Sequence, residues 1–209
     1  MIELVSLVIT TACNRRCPSC SFQPITRDRR SWGPEHFKKI APIIGHVHTL
    51  YVTGGEPLMH PQFEAVVDEV VRSFSYDKLQ LATNGDLLGR HEAAARRFDV
   101  LRLPVLTAKT YPGCPDNSEG RQVARRIGKA LWERPTVHWE RPGLSPLDCT
   151  NARVTTIVVG DAVYPCCMPI GPGIPLKLGW REAVATARLP CDECVLASAA
   201  DVARVVARP

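Results

Sequence analysis

The chain has 209 residues, 45% of them apolar and 22% charged, and a net charge of +5. Those proportions fit a globular chain that buries a core and exclude a disordered or fibrous one. No run approaches the roughly 20 apolar residues of a membrane helix. The opening Met1-Ile2-Glu3-Leu4-Val5 has no basic leader, and the basic residues form no tail or aromatic-interleaved stripe, so the expectation is a cytoplasmic protein with no membrane and no nucleic-acid partner.

In chain order, Leu4 to Ile9 is a short apolar run with a buried-strand pattern, ending at Thr10-Thr11. Gly33-Pro34-Glu35 opens a helix that runs to about Gly45. His48 to Thr53 is rich in strand formers and stops at Gly54-Gly55. Pro61 to Phe74 carries apolar residues at helical spacing, and Lys78 to Thr83 is a third strand ended by Asn84-Gly85. A helix over Leu87–Phe98, a strand over Val100–Leu106 containing Pro104, a helix from Ser118 as N-cap to Trp132, and a strand over Thr136–Glu140 follow. Alternating strands and helices imply a parallel sheet with helices outside and right-handed crossovers. A full eight-unit barrel needs roughly 250 residues, so five to six strands give a truncated one.

The character changes after Arg141-Pro142-Gly143. Val154–Val159 and Ala162–Tyr164 read as a hairpin on a Gly160-Asp161 turn. A helix over Trp180–Ala187, then Cys191-Asp192-Glu193-Cys194 and a last helix over Val195–Ala207, complete the chain. The expected fold is α/β: a truncated partial (β/α) TIM-like barrel over residues 1–142, with a small Cys-rich hairpin and helix extension over 143–209.

Nine Cys in a reduced compartment point to metal or redox chemistry rather than disulfides. Cys13, Cys17 and Cys20 stand as Cys-x3-Cys-x2-Cys in the loop after the first strand. Three thiolates on one loop suit a four-iron cubane with one iron left open. A zinc site that borrows a distant fourth ligand such as His36 is the competing reading of the spacing. Thr53-Gly54-Gly55-Glu56-Pro57 then closes the second strand.

The Cys triplet followed by Gly-Gly-Glu-Pro resembles the radical S-adenosylmethionine superfamily over about residues 4–110. The resemblance implies that Cys13, Cys17 and Cys20 hold a [4Fe-4S] cluster and that the cofactor's amino and carboxylate groups chelate the fourth iron. It implies that Gly54, Gly55, Glu56 and Pro57 lie against the methionine portion, with Glu56 accepting from its ammonium, and that Asn84 sits near cofactor or substrate. For Asn84 an ordinary Asn-Gly turn is the alternative. The family's usual aromatic residue before the third Cys is Ser19 here, with Phe22 as a substitute from the other side of the loop. Cys13, Gly54, Asn84, Thr107 and Glu140 all fall at or after expected strand ends, where parallel barrels place their active sites.

Cys149, Cys166, Cys191 and Cys194 form a second set. Four thiolates from a hairpin and a turn close either a zinc site or a cluster, and spacing alone does not choose. The stretch from Gly160 to Cys166, followed by Cys191 and Cys194, resembles the SPASM and twitch extensions. That resemblance implies an auxiliary [4Fe-4S] cluster and favours Cys166 over its neighbour Cys167. Cys114, in Tyr111-Pro112-Gly113-Cys114-Pro115, is a candidate hydrogen-atom donor on the active-site side, against a passive loop thiol.

The implied activity is reductive cleavage of S-adenosylmethionine, followed by hydrogen abstraction from an unactivated carbon of a peptide or small polar substrate, in an oxidation assisted by the auxiliary cluster. The expected partners are that substrate and a low-potential electron donor such as flavodoxin or ferredoxin; a homodimer is compatible with the open barrel. Three alternatives stay open: an epimerase using Cys114, a non-catalytic iron–sulfur or zinc protein, and a glycyl-radical activase.

Overall fold

The computed structural model describes residues 4–17, 20, 22, 28–105, 116–128, 130–135, 155–165 and 173–187. Strand and helix alternate through β1 (Leu4–Thr10), α1 (Pro34–Ile44), β2 (Val47–Gly54), α2 (Phe63–Ser73), β3 (Tyr76–Ala82), α3 (Glu92–Ala95), β4 (Val100–Val105), α4 (Ser118–Ile127) and β5 (Ala130–Pro135). Then come β6 (Thr155–Val159), β7 (Ala162–Tyr164), β8 (Ile174–Pro175) and α5 (Trp180–Thr186). All eight strands share one sheet in the order β5-β4-β3-β2-β1-β6-β7-β8. The first six are parallel, and β7 and β8 add antiparallel pairings at one edge.

Side-chain alternation divides the sheet into two faces. Val5, Leu7 and Ile9, Leu50 and Val52, Leu79 and Leu81, and Leu101 and Leu103 pack under the helices with Phe37, Phe63 and Val66. The opposite face carries Ser6, Thr10, Thr49, Thr53, Gln80 and Arg102 together with Val8 and Tyr51, a mixed face richer in polar groups. On it the Arg102 guanidinium lies 4.8 Å from the centre of the Tyr51 ring, a cation–π contact.

The hairpin β6–β7 does not stand apart from the sheet. β6 runs parallel to β1, from Leu4 beside Thr155 to Val8 beside Val159, so β1 is paired on both sides. A strand paired on both edges and covered on its faces reads as a continuous apolar run, which explains the sequence of β1. α5 is tied to the end of α1: Trp180 Nε1 donates to the Ile43 carbonyl at 3.0 Å, and Arg181 donates to the carbonyls of Ile44 and His46.

Three local expectations are corrected. The helix expected from Ser118 to Trp132 ends at Ile127, because Gly128 takes the left-handed conformation at φ 72° that closes a helix. Ala130–Pro135 instead form β5, and the strand expected over Thr136–Glu140 lies outside the described residues. The helix expected over Leu87–Phe98 is broken into a 3-10 turn, Leu88–Arg90, and the four-residue α3. Ser118 is the first residue of α4 and Asn117 its cap position, with the Asn117 side chain used elsewhere.

Pro104 fits β4 because β3 pairs with that strand only as far as Arg102, so the missing N–H removes no rung on that side. The expected last helix over Val195–Ala207 lies outside the described residues. No helix among the described residues is long and apolar enough to cross a membrane.

Candidate active site at the carboxyl ends of the strands

The loop carrying Cys13, Cys17 and Cys20 leaves β1 and is stitched at its base where it returns. Thr11 N donates to the Arg30 carbonyl at 2.8 Å, Arg30 N donates to Thr11 Oγ1 at 2.7 Å, and Thr10 Oγ1 shares a hydrogen bond with Ser31 Oγ at 2.8 Å. Trp32 N then donates to the Ile9 carbonyl. Within the loop, Cys20 N donates to the Cys17 carbonyl at 3.2 Å.

The Gly-Gly pair is the seam between this loop and β2. Gly55 N donates to the Thr10 carbonyl at 2.9 Å and Glu56 N to the Ala12 carbonyl at 2.8 Å. A Cβ on Gly54 would collide with the Thr10 carbonyl oxygen, and one on Gly55 would lie 2.6 Å from the Thr11 carbonyl oxygen. The glycines thus permit backbone to meet backbone at the start of the Cys loop. The sequence reading placed that close approach at a bound cofactor; the structure adds a contact within the chain.

Glu56 is fully buried and acts as a strut between β2 and β3. Its Oε1 accepts from Leu58 N at 3.1 Å and Thr83 Oγ1 at 2.6 Å, and its Oε2 accepts from Asn84 N at 2.7 Å. Burial pushes its carboxyl up to about 7, against the three donors, which favour the ionised form. A carboxylate has about four acceptor positions, so three donors leave room for one more. Pro57 opens the 3-10 turn Pro57–Met59, where its missing N–H costs nothing, and Glu56 caps that turn through Leu58 N.

Asn84 is more than a turn residue. Its Oδ1 accepts from Asp86 N at 3.0 Å and its Nδ2 donates to Asn14 Oδ1 at 2.8 Å, joining the β3 end to the Cys loop. Asn117 Nδ2 donates to the carbonyls of Asn84 and Pro104 at 2.8 and 2.7 Å, joining β3 and β4 to the start of α4. A Cβ on Gly120 would collide with the Gly85 carbonyl oxygen, so α4 also sits directly on that turn. Arg15 pairs with Asp86 through Nε at 2.8 Å and Nη2 at 2.5 Å. The ends of β1, β2, β3 and β4 are thereby fastened into one rim.

Phe22 is half-buried; Ser19, Thr107, Cys114, Glu140, Cys149, Cys166, Cys167, Cys191 and Cys194 lie outside the described residues. Sequence reasoning missed Asn14, Arg15, Asp86 and Asn117. Asp86, as the third residue of Asn-Gly-Asp, carries a turn signal that points to Asn84. Arg15 carries none, because its partner is 71 residues away.

The donor set suits an iron–sulfur cluster. All three cysteines are half-buried. Burial pushes the Cys13 thiol up, the Glu56 and Cys20 charges push the same way, and the Arg15 N–H and guanidinium oppose them. A cationic metal centre is what turns such a thiol into a ligand. Among the described residues no three His, Cys, Asp or Glu side chains meet as a single ion requires. His36, the alternative fourth zinc ligand, packs edge-on to Phe37 at 5.3 Å.

The Radical SAM superfamily model matches residues 7–133. GTP 3',8-cyclase of Chlorobaculum tepidum is 34% identical over 136 residues, covering 62% of this chain and 41% of that protein. The antilisterial bacteriocin subtilosin biosynthesis protein AlbA of Bacillus subtilis is 32% identical over 82 residues, covering 38% of this chain and 18% of that protein. The chain spans less than half the length of these curated relatives. Among solved structures, BtrN in complex with AdoMet and 2-DOIA superposes with a TM-score of 0.57 at 15% identity, covering 79% of this chain and 73% of that one. SuiB of Streptococcus suis bound to S-adenosylmethionine gives 0.55 at 10% identity, covering 92% of this chain and 71% of that one.

Fold and rim together define an α/β chain whose cysteine-bearing loop is joined to the carboxyl ends of a parallel sheet. The chain belongs to the Radical SAM superfamily, whose cofactors are a [4Fe-4S] cluster and S-adenosylmethionine.

Proposed function

We propose that this chain reductively cleaves S-adenosylmethionine and uses the product to abstract hydrogen from an unactivated carbon of a peptide or a small polar substrate, in an oxidative modification. The observation that carries the reading is the rim: the Cys loop, the Gly54-Gly55-Glu56 seam and the Thr83–Asp86 turn are hydrogen-bonded to one another at the same end of the sheet. When bound, a reduced cluster supplies the electron that cleaves the sulfonium cofactor to a deoxyadenosyl radical.

Cys13, Cys17 and Cys20 hold that cluster. Glu56 offers its remaining acceptor position to an N–H of the cofactor's amino group, while the seam fixes the height of the strand end beneath it. Asn84 and the polar groups of that mixed face hold the substrate. Polar groups suit a polar substrate; the relatives named above include both a nucleotide cyclase and a bacteriocin biosynthesis protein. In our reading, residues 143–209 add an auxiliary cluster on Cys149, Cys166, Cys191 and Cys194 that accepts the second electron of the oxidation. The first leaves with the abstracted hydrogen atom, and a flavodoxin- or ferredoxin-type donor separately supplies the electron that cleaves the cofactor.

The test is anaerobic reconstitution followed by dithionite and S-adenosylmethionine. The wild-type chain forms 5'-deoxyadenosine, and Cys17→Ala forms none. A wild-type chain that holds the cubane yet forms no deoxyadenosine overturns the proposal.

A further inference from the structure

Arg15 lies between the first two cysteines of the loop, yet its side chain is only 3% exposed. Its guanidinium forks onto both oxygens of Asp86, from the turn after β3, and also reaches the Asp116 carbonyl at 3.4 Å. Asp86 is itself held, by Asn14 Nδ2 at 2.8 Å and by the turn from its own N–H to Asn84 Oδ1. The Arg15 backbone N–H points at Cys13 Sγ, 3.4 Å away. The Cys loop is therefore pinned on its β2 side by the glycine seam and on its β3 side by this ion pair. An N–H aimed at a ligating sulfur stabilises the reduced cluster, because it offsets the added negative charge.

We propose that Arg15 and Asp86 are positioning residues: their fork holds the Arg15 N–H on the Cys13 sulfur and so sets the reduction potential of the front cluster. The inference rests on Cys13 being a cluster ligand. Nothing in it requires Arg15 or Asp86 to touch cofactor or substrate. Because the pair is neutral as a unit, its effect is geometric, and that separates it from a pair of point charges. Lys in place of Arg15 keeps the charge and loses the planar fork. Asn in place of Asp86 keeps an acceptor and loses the charge.

The experiment is an anaerobic potentiometric titration of the reconstituted full chain, followed by the electron paramagnetic resonance of the reduced cluster without S-adenosylmethionine. Iron and sulfide are counted on each variant. Positioning gives a lowered potential in Arg15→Lys and in Asp86→Ala: the reduced fraction at a fixed potential falls about threefold, or about 30 mV for a one-electron couple. Asp86→Asn then stays nearer the wild type than Asp86→Ala does. Point charges alone give no change in Arg15→Lys and a raised potential in both Asp86 variants, and that pattern overturns the inference. A wild-type chain that takes up no cubane overturns the ligand assignment first and this inference with it, so the two failures are told apart by the wild type.

Discussion

Glu56 offers a stability measurement whose sign is fixed by its surroundings. Its carboxyl is raised from 4.5 to about 7 by complete burial, which outweighs the donors at Leu58, Thr83 and Asn84. A raised folded value means that the folded chain binds a proton the unfolded chain has already released. The stabilisation is therefore complete below pH 4.5 and is lost as pH rises through about 7. With 1.36 kcal/mol per unit, the loss between pH 5 and pH 8 is about 2.5 kcal/mol.

Glu56→Gln removes the titration. It also turns an amide NH2 toward at least one of three donors, at a cost of about 1–3 kcal/mol. Urea unfolding of both chains at pH 5, 6, 7 and 8 reads the difference. The wild type should lose its advantage over Glu56→Gln steadily across that range. A difference that stays constant with pH would show that the three donors hold Glu56 ionised throughout, and the ranking of burial over hydrogen bonding would be wrong.

Gly55→Ala places a Cβ against the carbonyls of Thr11 and Ala12, so the Cys loop must shift; reconstituted iron should fall by half or more while α1 and α2 keep the helical signal in circular dichroism. Asn117→Ala strips the donors from the carbonyls of Asn84 and Pro104 and should cost about 1–3 kcal/mol in denaturant unfolding. In the proposed complex the ionised Glu56 accepts from the cofactor's amino N–H more strongly than the protonated carboxyl does, so S-adenosylmethionine affinity measured by calorimetry should rise from pH 6 to pH 8. Gly160→Ala adds a Cβ 2.9 Å from Trp32 Nε1 at a φ of 57°, and should lower the melting temperature by loosening the hairpin from the base of the Cys loop.

The alternation of strand and helix was legible because each of the first four strands is a short apolar run closed by Thr, Gly or Asn, and because α1 opens on Pro34. The Cys triplet and Gly54-Gly55-Glu56 marked the working end of the sheet for the same reason: they sit at strand ends. What the sequence hid is what depends on distance along the chain. Gly128 stops α4, yet the apolar residues after it continue at a spacing that also suits a helix, so the start of β5 reads as the end of that helix. The docking of β6 on β1 joins residues about 150 apart and leaves no local trace. Glu56 was chosen for its charge, whereas its burial and its links to Thr83 and Asn84 came only from the fold. The pairing of Arg15 with Asp86 was invisible because one residue is in a loop and the other in a turn, neither constrained by periodicity.

The most direct measurement is the electron paramagnetic resonance of the dithionite-reduced, reconstituted chain before and after S-adenosylmethionine is added. A cubane held by three sulfurs has an open iron, so its spectrum should change on addition, and Cys13→Ala, Cys17→Ala and Cys20→Ala should each abolish that response. A cubane spectrum that is identical with and without S-adenosylmethionine would contradict the reading of this rim as a radical-generating site.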